Sequence, residues 1–297
     1  MQAAPEARAK HIQFSNTLIY KLKTKCTGST LYADQTVHYF LGVESVRTIA
    51  FSIQKGGVGK TSIAVSLAVE LARMAGSVLI VDADPQGSAS GWIGSEEVKI
   101  ELADVLFGKA ELGKAIAKTN IPGLSLLPTA GLGGELNLYA KTLASQQDRC
   151  MKKITAMLAA MGFQFCILDL SPGFGPLEWA CFMAADEVIT PVLPDSFAAD
   201  GLEVFAGNLK QFREDKETQK PLYRKIIVNA IDRRIPQHEQ TLIEVMAASE
   251  SLQVFQFPVD PAFRKSQAAG LAVQELPGTK AETLAEISRL AKAVTEA

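Results

Sequence analysis

Gln54-Lys55-Gly56-Gly57-Val58-Gly59-Lys60-Thr61 stands between two patterned runs. Before it, Thr48-Ile49-Ala50-Phe51-Ser52-Ile53 is an apolar run of the kind that forms a buried strand. After it, Ser62 to Ala75 carries Ile63, Leu67, Leu71 and Met74 at helical spacing, with Gly76 to close the helix. A glycine-rich turn between a strand and a helix is a phosphate cradle. Glycine lets the backbone wrap closely round an anion with its N–H groups inward, and the helix N-terminus adds partial positive charge. In such a cradle Lys60 reaches the β/γ-phosphates of a nucleotide and the Thr61 hydroxyl ligates Mg²⁺. The usual loop is G-x-x-x-x-G-K-[ST]; here its first glycine is replaced by Gln54, and a second lysine, Lys55, follows. Lys55 points outward along the loop and is not needed to hold the nucleotide of its own subunit.

Downstream, Ser77-Val78-Leu79-Ile80-Val81-Asp82 is nearly continuous in apolar residues, as strands of a parallel sheet covered on both faces are. A right-handed crossover brings its end beside the cradle. There Asp82-Ala83-Asp84-Pro85-Gln86-Gly87-Ser88 sets two carboxylates toward the triphosphate, a placement that handling Mg²⁺ or water explains. Phe163-Gln164-Phe165-Cys166-Ile167-Leu168-Asp169 is a second apolar strand ending in an acid, the Walker B pattern, with Asp169 acting on Mg²⁺ through a water. Ser171-Pro172-Gly173-Phe174-Gly175 follows, a loop whose backbone is placed to sense a γ-phosphate. Further strands are expected at Leu124–Pro128, Glu187–Val192 and Lys225–Asn229, and helices at Leu102–Gly108, Ala110–Lys118, Asp148–Met161, Phe197–Phe212 and Ala281–Val294. Gly131 to Gly134 read as a flexible connection. The expected fold class is α/β: a three-layer P-loop NTPase with a mostly parallel twisted sheet flanked by helices on both faces.

K-G-G-V-G-K-T at Lys55–Thr61 resembles the deviant Walker A box of the ParA/MinD ATPases, P-loop proteins that dimerise face to face around two ATP molecules. The resemblance spans residues 47–297. It implies that Lys55 crosses to the partner's nucleotide, that Asp84 positions and activates the attacking water, and that Asp82 supports the Mg²⁺ shell. The implied sets are Lys55, Lys60 and Asp84 for catalysis; Thr61, Asp84 and Asp169 for Mg²⁺; and Gly56, Gly57, Val58, Gly59, Lys60, Thr61, Ser62, Asn229 and Pro258 for ATP. Asn229 is the candidate for adenine, since its amide matches N6 and N7; a turn-forming role is the plain alternative. Relatives carry D-x-P-P after the Walker B acid, and this chain departs from them with Ser171 in place of the first proline.

The 297 residues, 47% hydrophobic, suffice for one α/β domain with a sizeable core. Residues 47–297 are expected to be the ATPase domain and residues 1–46 an extension outside the resemblance. A formal net charge of −2 gives no global signal for nucleic acid. Locally, residues 210–234 carry Lys210, Arg213, Lys216, Lys220, Arg224, Lys225, Arg233 and Arg234 against Glu214, Asp215, Glu217 and Asp232. Arg264-Lys265 lies in a stretch resembling the ParA motif with an arginine before S-x-A, which implies nonspecific DNA contact; Arg233, Arg234, Arg264 and Lys265 are the DNA candidates. The four cysteines are widely spaced with no C-x-x-C, which reads as reduced thiols in a cytoplasmic protein. Membrane association is not expected: no apolar run approaches a span, and the last helix has few bulky apolar residues. The resemblance thus implies a nucleoid-associated partition ATPase, a homodimer on ATP binding, with a ParB-like centromere-binding activator. A MinD-like membrane-associated or cargo-positioning ATPase is the alternative.

Overall fold

The computed structural model describes residues 45–95, 97–142 and 149–296. Residues 1–44 of the extension expected over 1–46, Cys26 among them, and Asp148 lie outside the described residues.

Among the described residues, eight strands form one sheet in the order β3-β4-β2-β5-β1-β6-β7-β8. They are β1 (Arg47–Phe51), β2 (Val78–Ala83), β3 (Ala117–Lys118), β4 (Leu124–Leu127), β5 (Phe165–Leu170), β6 (Glu187–Val192), β7 (Leu222–Ile231) and β8 (Gln253–Pro258). All pairings are parallel except β3 with β4. The helices are α1 (Lys60–Ala75), α2 (Ser88–Ile93), α3 (Leu102–Leu106), α4 (Leu112–Ala115), α5 (Leu136–Thr142), α6 (Cys150–Ala160), α7 (Pro176–Ala184), α8 (Ala198–Asp215), α9 (Pro236–Ala248), α10 (Ala262–Ala269) and α11 (Ala281–Thr295).

Strands buried on both faces send alternate residues to two cores. Ile49, Phe51, Ile80, Ile167, Ile189 and Ile227 pack with Ile63, Leu67 and Leu71 of α1 and with Ile287, Leu290 and Val294 of α11. On the other side Ile226, Val228 and Val192 pack with Ala198 and Leu202 of α8 and Val245 of α9. The apolar face of α11 is therefore spent in the core. The outer edge of β8 is closed by side chains of the same helix. Glu286 accepts the Gln256 N–H, and Arg289 Nη2 donates to the Val254 carbonyl at 2.8 Å, which removes an open ladder.

Some expectations give way. Met74 is 48% exposed, beyond the covered part of α1. The sequence of α6 puts Met151, Ile154, Met157 and Leu158 on one apolar side, but Met157 is 51% exposed, because the inward row is Met151, Ile154, Thr155, Leu158 and Ala159. The helix expected over Ala110–Lys118 stops at Ala115, and Ala117–Lys118 pairs antiparallel with β4. Gly131–Gly133 forms a 3-10 turn. It is tied back by Glu101, whose buried carboxylate accepts the Ala130 N–H at 2.7 Å, the Thr129 hydroxyl at 3.0 Å and the Glu135 N–H.

Candidate nucleotide and metal site

β1 ends at Phe51 and α1 begins at Lys60, so the loop 52–59 sits on the carboxyl edge of the sheet between the β5 and β6 ends. Gly59 stands at the helix N-terminus with φ +94°. A Cβ there would lie 2.3 Å from the Asn229 amide nitrogen, so this position needs glycine for both conformation and room. Gln54, Lys55, Gly56 and Gly57 are exposed and Val58 is buried. The two lysines part company. Lys60 is buried and donates to the Lys55 carbonyl at 3.1 Å. Burial pulls its ammonium below the ordinary lysine range, and Asp169 and Asp84 act against that pull. Lys55 is half-exposed and pairs with Asp195 in the loop after β6.

The three acids converge beside Lys60. Asp82 and Asp169 are register partners on β2 and β5. Asp82 accepts the Ser90 N–H and hydroxyl, each at 2.7 Å, and the Asp84 N–H at 3.3 Å. Asp84 accepts the Gln86 N–H at 2.9 Å, which holds the turn that Gly87 completes at φ +67°. Neither oxygen of Asp169 has a hydrogen-bond partner of good geometry although the residue is fully buried. Thr61 and Lys60 are the neighbours that favour its charged form. A buried carboxylate left unpaired is costly, and a cation beside it removes the cost. Thr61, Asp84 and Asp169 offer hard oxygen donors, which suit Mg²⁺. Among the described residues no group of three or more His, Cys, Asp or Glu side chains could hold a metal alone.

The acids also set a pH dependence. Asp82 is pushed up to about 6, chiefly by burial and against its Ser90 hydrogen bonds. Asp169 is raised well above the usual range, first by burial and then by Asp82. Both folded-state values exceed the unfolded ones. The stability each lends is thus fully present below about pH 4 and is lost as pH rises through the folded value. Without nucleotide or divalent cation, thermal unfolding of Asp82→Asn and wild type should diverge in the variant's favour between about pH 3 and 7, by on the order of 3 kcal/mol. A difference independent of pH would refute this account.

The remaining site candidates separate. Asn229 Nδ2 donates to the Val58 carbonyl at 2.9 Å, so the structure brings this amide to the loop itself. Ser62 is in the first turn of α1, half-buried. Pro258 pairs with Ile231 at the end of β8 and lines a recess of about 290 Å³ with Arg233, Glu282, Glu286 and Arg289. Arg264 and Lys265 are exposed on α10. The basic cluster counted along residues 210–234 is not a free patch. Lys225 is buried against Glu187 at 2.7 Å, Lys220 pairs with Asp186 at 2.6 Å, and Arg234 makes a two-point pair with Asp232 at 2.8 and 2.6 Å. Residue order does not show that a strand turns Lys225 inward.

Three residues at the site have no place in the sequence reading. Ser90 holds Asp82. Asp195 holds Lys55, and its signal is an acid just past a strand end. Glu178 accepts the Ser171 hydroxyl and the Gly175 N–H, the latter at 2.8 Å. Its signal is the capping spacing, an acid three residues past Gly175.

Residues 46–222 match a family model described as an AAA domain. The chromosome partitioning protein ParA of Caulobacter vibrioides is 31% identical over 210 residues, 70% of this chain and 78% of that one. The cell division protein PomZ of Myxococcus xanthus is 32% identical over 163 residues, 54% of this chain and 50% of that one. Among solved structures, cobyrinic acid a,c-diamide synthase from Mycobacterium smegmatis with bound ADP and magnesium superposes with a TM-score of 0.69 at 25% identity, covering 84% of this chain and 94% of that one.

Proposed function

Because this chain belongs to the ParA/MinD family of P-loop ATPases, we propose that it is a DNA-partition switch built as an ATP-dependent homodimer. At the coarser level it is an ATPase of the partitioning and positioning kind. The observation that carries the finer reading is the division of labour between the lysines. Lys60 is buried in the cradle, whereas Lys55 stands outside it on Asp195, beside a Phe197 that is 68% exposed. A lysine held at the rim supports transfer to a second copy's nucleotide, and ATP shifts the monomer–dimer balance by what it contributes across that interface.

Within one copy, Lys60 stabilises charge developing on the phosphates, and Asp84 orients the attacking water and accepts its proton. Thr61, Asp84 and Asp169 would hold Mg²⁺, whose chemistry when bound is neutralisation of phosphate charge. Asn229 and Pro258 lie on the adenine side. Residues 47–297 act as the ATPase domain and residues 1–46 as an extension of it. The dimer would gather exposed cations on DNA without reading sequence, in the nucleoid of the cytoplasm, and a ParB-like centromere-bound partner would accelerate hydrolysis. The membrane alternative loses support from α11, whose apolar face is in the core, and no described helix is long and apolar enough to cross a membrane.

The test is DNA binding by the ATP-bound dimer at several salt concentrations. Arg264→Glu should weaken binding and lower the slope of log affinity against log salt by about 1 per copy. Arg234→Glu should change little, because Asp232 already occupies that guanidinium. Unchanged binding and an unchanged salt slope for Arg264→Glu would remove Arg264 from the interface.

A further inference from the structure

The loop between Asp169 and α7 is wrapped round a carboxylate. Glu178 is 7% exposed. Its two oxygens accept from opposite ends of the loop, one from the Ser171 hydroxyl and the other from the Gly175 N–H at 2.8 Å. The glycines fit closely about it: a Cβ on Gly175 would lie 3.1 Å from one oxygen, and one on Gly173 would lie 3.7 Å from the carboxyl group. The middle of the loop is fixed separately, by Phe174 packing 5.2 Å from Phe182 and 5.9 Å from Phe205, centroid to centroid. Pro172 faces the cradle, 3.8 Å from where a Gly56 Cβ would be. The loop thus bridges the Asp169 strand and the phosphate loop.

Ser171 occupies the place where the resembling pattern has proline. Proline fixes φ and stiffens a loop with no partner, whereas serine is freer and needs its hydroxyl tied. Glu178 supplies the tie. We propose that Glu178 is a positioning residue for ATP hydrolysis, holding the 171–175 loop over the cradle through Ser171 and Gly175 in place of the missing proline. The proposal rests on the ATPase reading of the same site. Glu178 acts through the loop, so its loss should fall on kcat and leave nucleotide affinity in place.

The experiment compares steady-state hydrolysis with equilibrium binding of a fluorescent ATP analogue for the full chain. Glu178→Ala should lower kcat about tenfold or more, with the nucleotide Kd within about twofold. Glu178→Gln should retain part of the rate, because its amide can accept from Gly175 and donate to the Ser171 oxygen. The decisive variant is Ser171→Pro in the Glu178→Ala background. Restored stiffness without the acceptor should recover most of the lost kcat. A folded Glu178→Ala protein with wild-type kcat overturns the proposal, and so does equal loss of kcat and affinity with no recovery by proline. If Glu178→Ala does not fold, Ser171→Ala decides: a lowered kcat at unchanged Kd supports the role, and an unchanged kcat overturns it. A wild-type chain that binds ATP without hydrolysing it strikes the ATPase reading itself, and this proposal with it.

Discussion

Lys60→Ala should lower ATP hydrolysis by on the order of 10²–10³-fold, the loss typical of removing one preorganised donor to developing charge. The side chain is 6% exposed, so no solvent lysine can take its place, and its Nζ is already fixed by the Lys55 carbonyl at 3.1 Å. Its second effect is on the acids. After Thr61, Lys60 is the neighbour that favours the ionised form of Asp169, neither of whose oxygens has a hydrogen-bond partner of good geometry. Removing the ammonium leaves that carboxylate more costly to ionise, so the nucleotide-free variant should also unfold at lower temperature at neutral pH than in mild acid. Lys60→Arg keeps the charge but adds bulk in a closed cradle, and should recover stability more than rate. Hydrolysis by Lys60→Ala within tenfold of wild type would remove Lys60 from the reaction. Lost ATP binding without lost hydrolysis per bound nucleotide would confine it to affinity.

The cradle, its two strands and the acids at their ends were legible because each rests on local pattern. Continuous apolar runs mark doubly covered strands, and the glycine-rich turn between strand and helix marks the loop where Gly59 leaves no room for a Cβ. Parallel topology then brings the strand ends to one edge of the sheet, whereas the register pairing of Asp82 with Asp169 appears only in the strand order. What stayed hidden is long-range. Asp195 meets Lys55 across 140 residues of chain, and Lys225 finds Glu187 because β7 lies beside β6. Counting charges along the chain overstates the free cations for the same reason. The 117–118 strand shows tertiary pairing at a sheet edge overriding a local helical preference. Glu178 is the intermediate case: its spacing is local, and its importance appears only once Ser171 is seen to donate to it.

Asp84→Ala should separate hydrolysis from assembly. The Asp84 carboxylate accepts one backbone hydrogen bond, from Gln86, and it raises the pKa of both Asp82 and Asp169. Its removal therefore costs one turn contact while relieving like-charge repulsion, and the fold should persist with little change in melting temperature. Loss of a positioned general base is worth roughly 10²–10⁴-fold in rate. ATP should then remain uncleaved, and the variant should elute as a dimer with ATP·Mg²⁺ and as a monomer with ADP in size-exclusion chromatography. Binding to random-sequence DNA by that dimer, weaker at high salt, would join the nucleotide state to the cargo. A dimer that ignores DNA would keep the switch and move its cargo to a protein. A variant that stays monomeric with ATP bound would sever Lys55 from any second nucleotide. Its exposed place on Asp195 would then be an ordinary surface ion pair, worth little to stability.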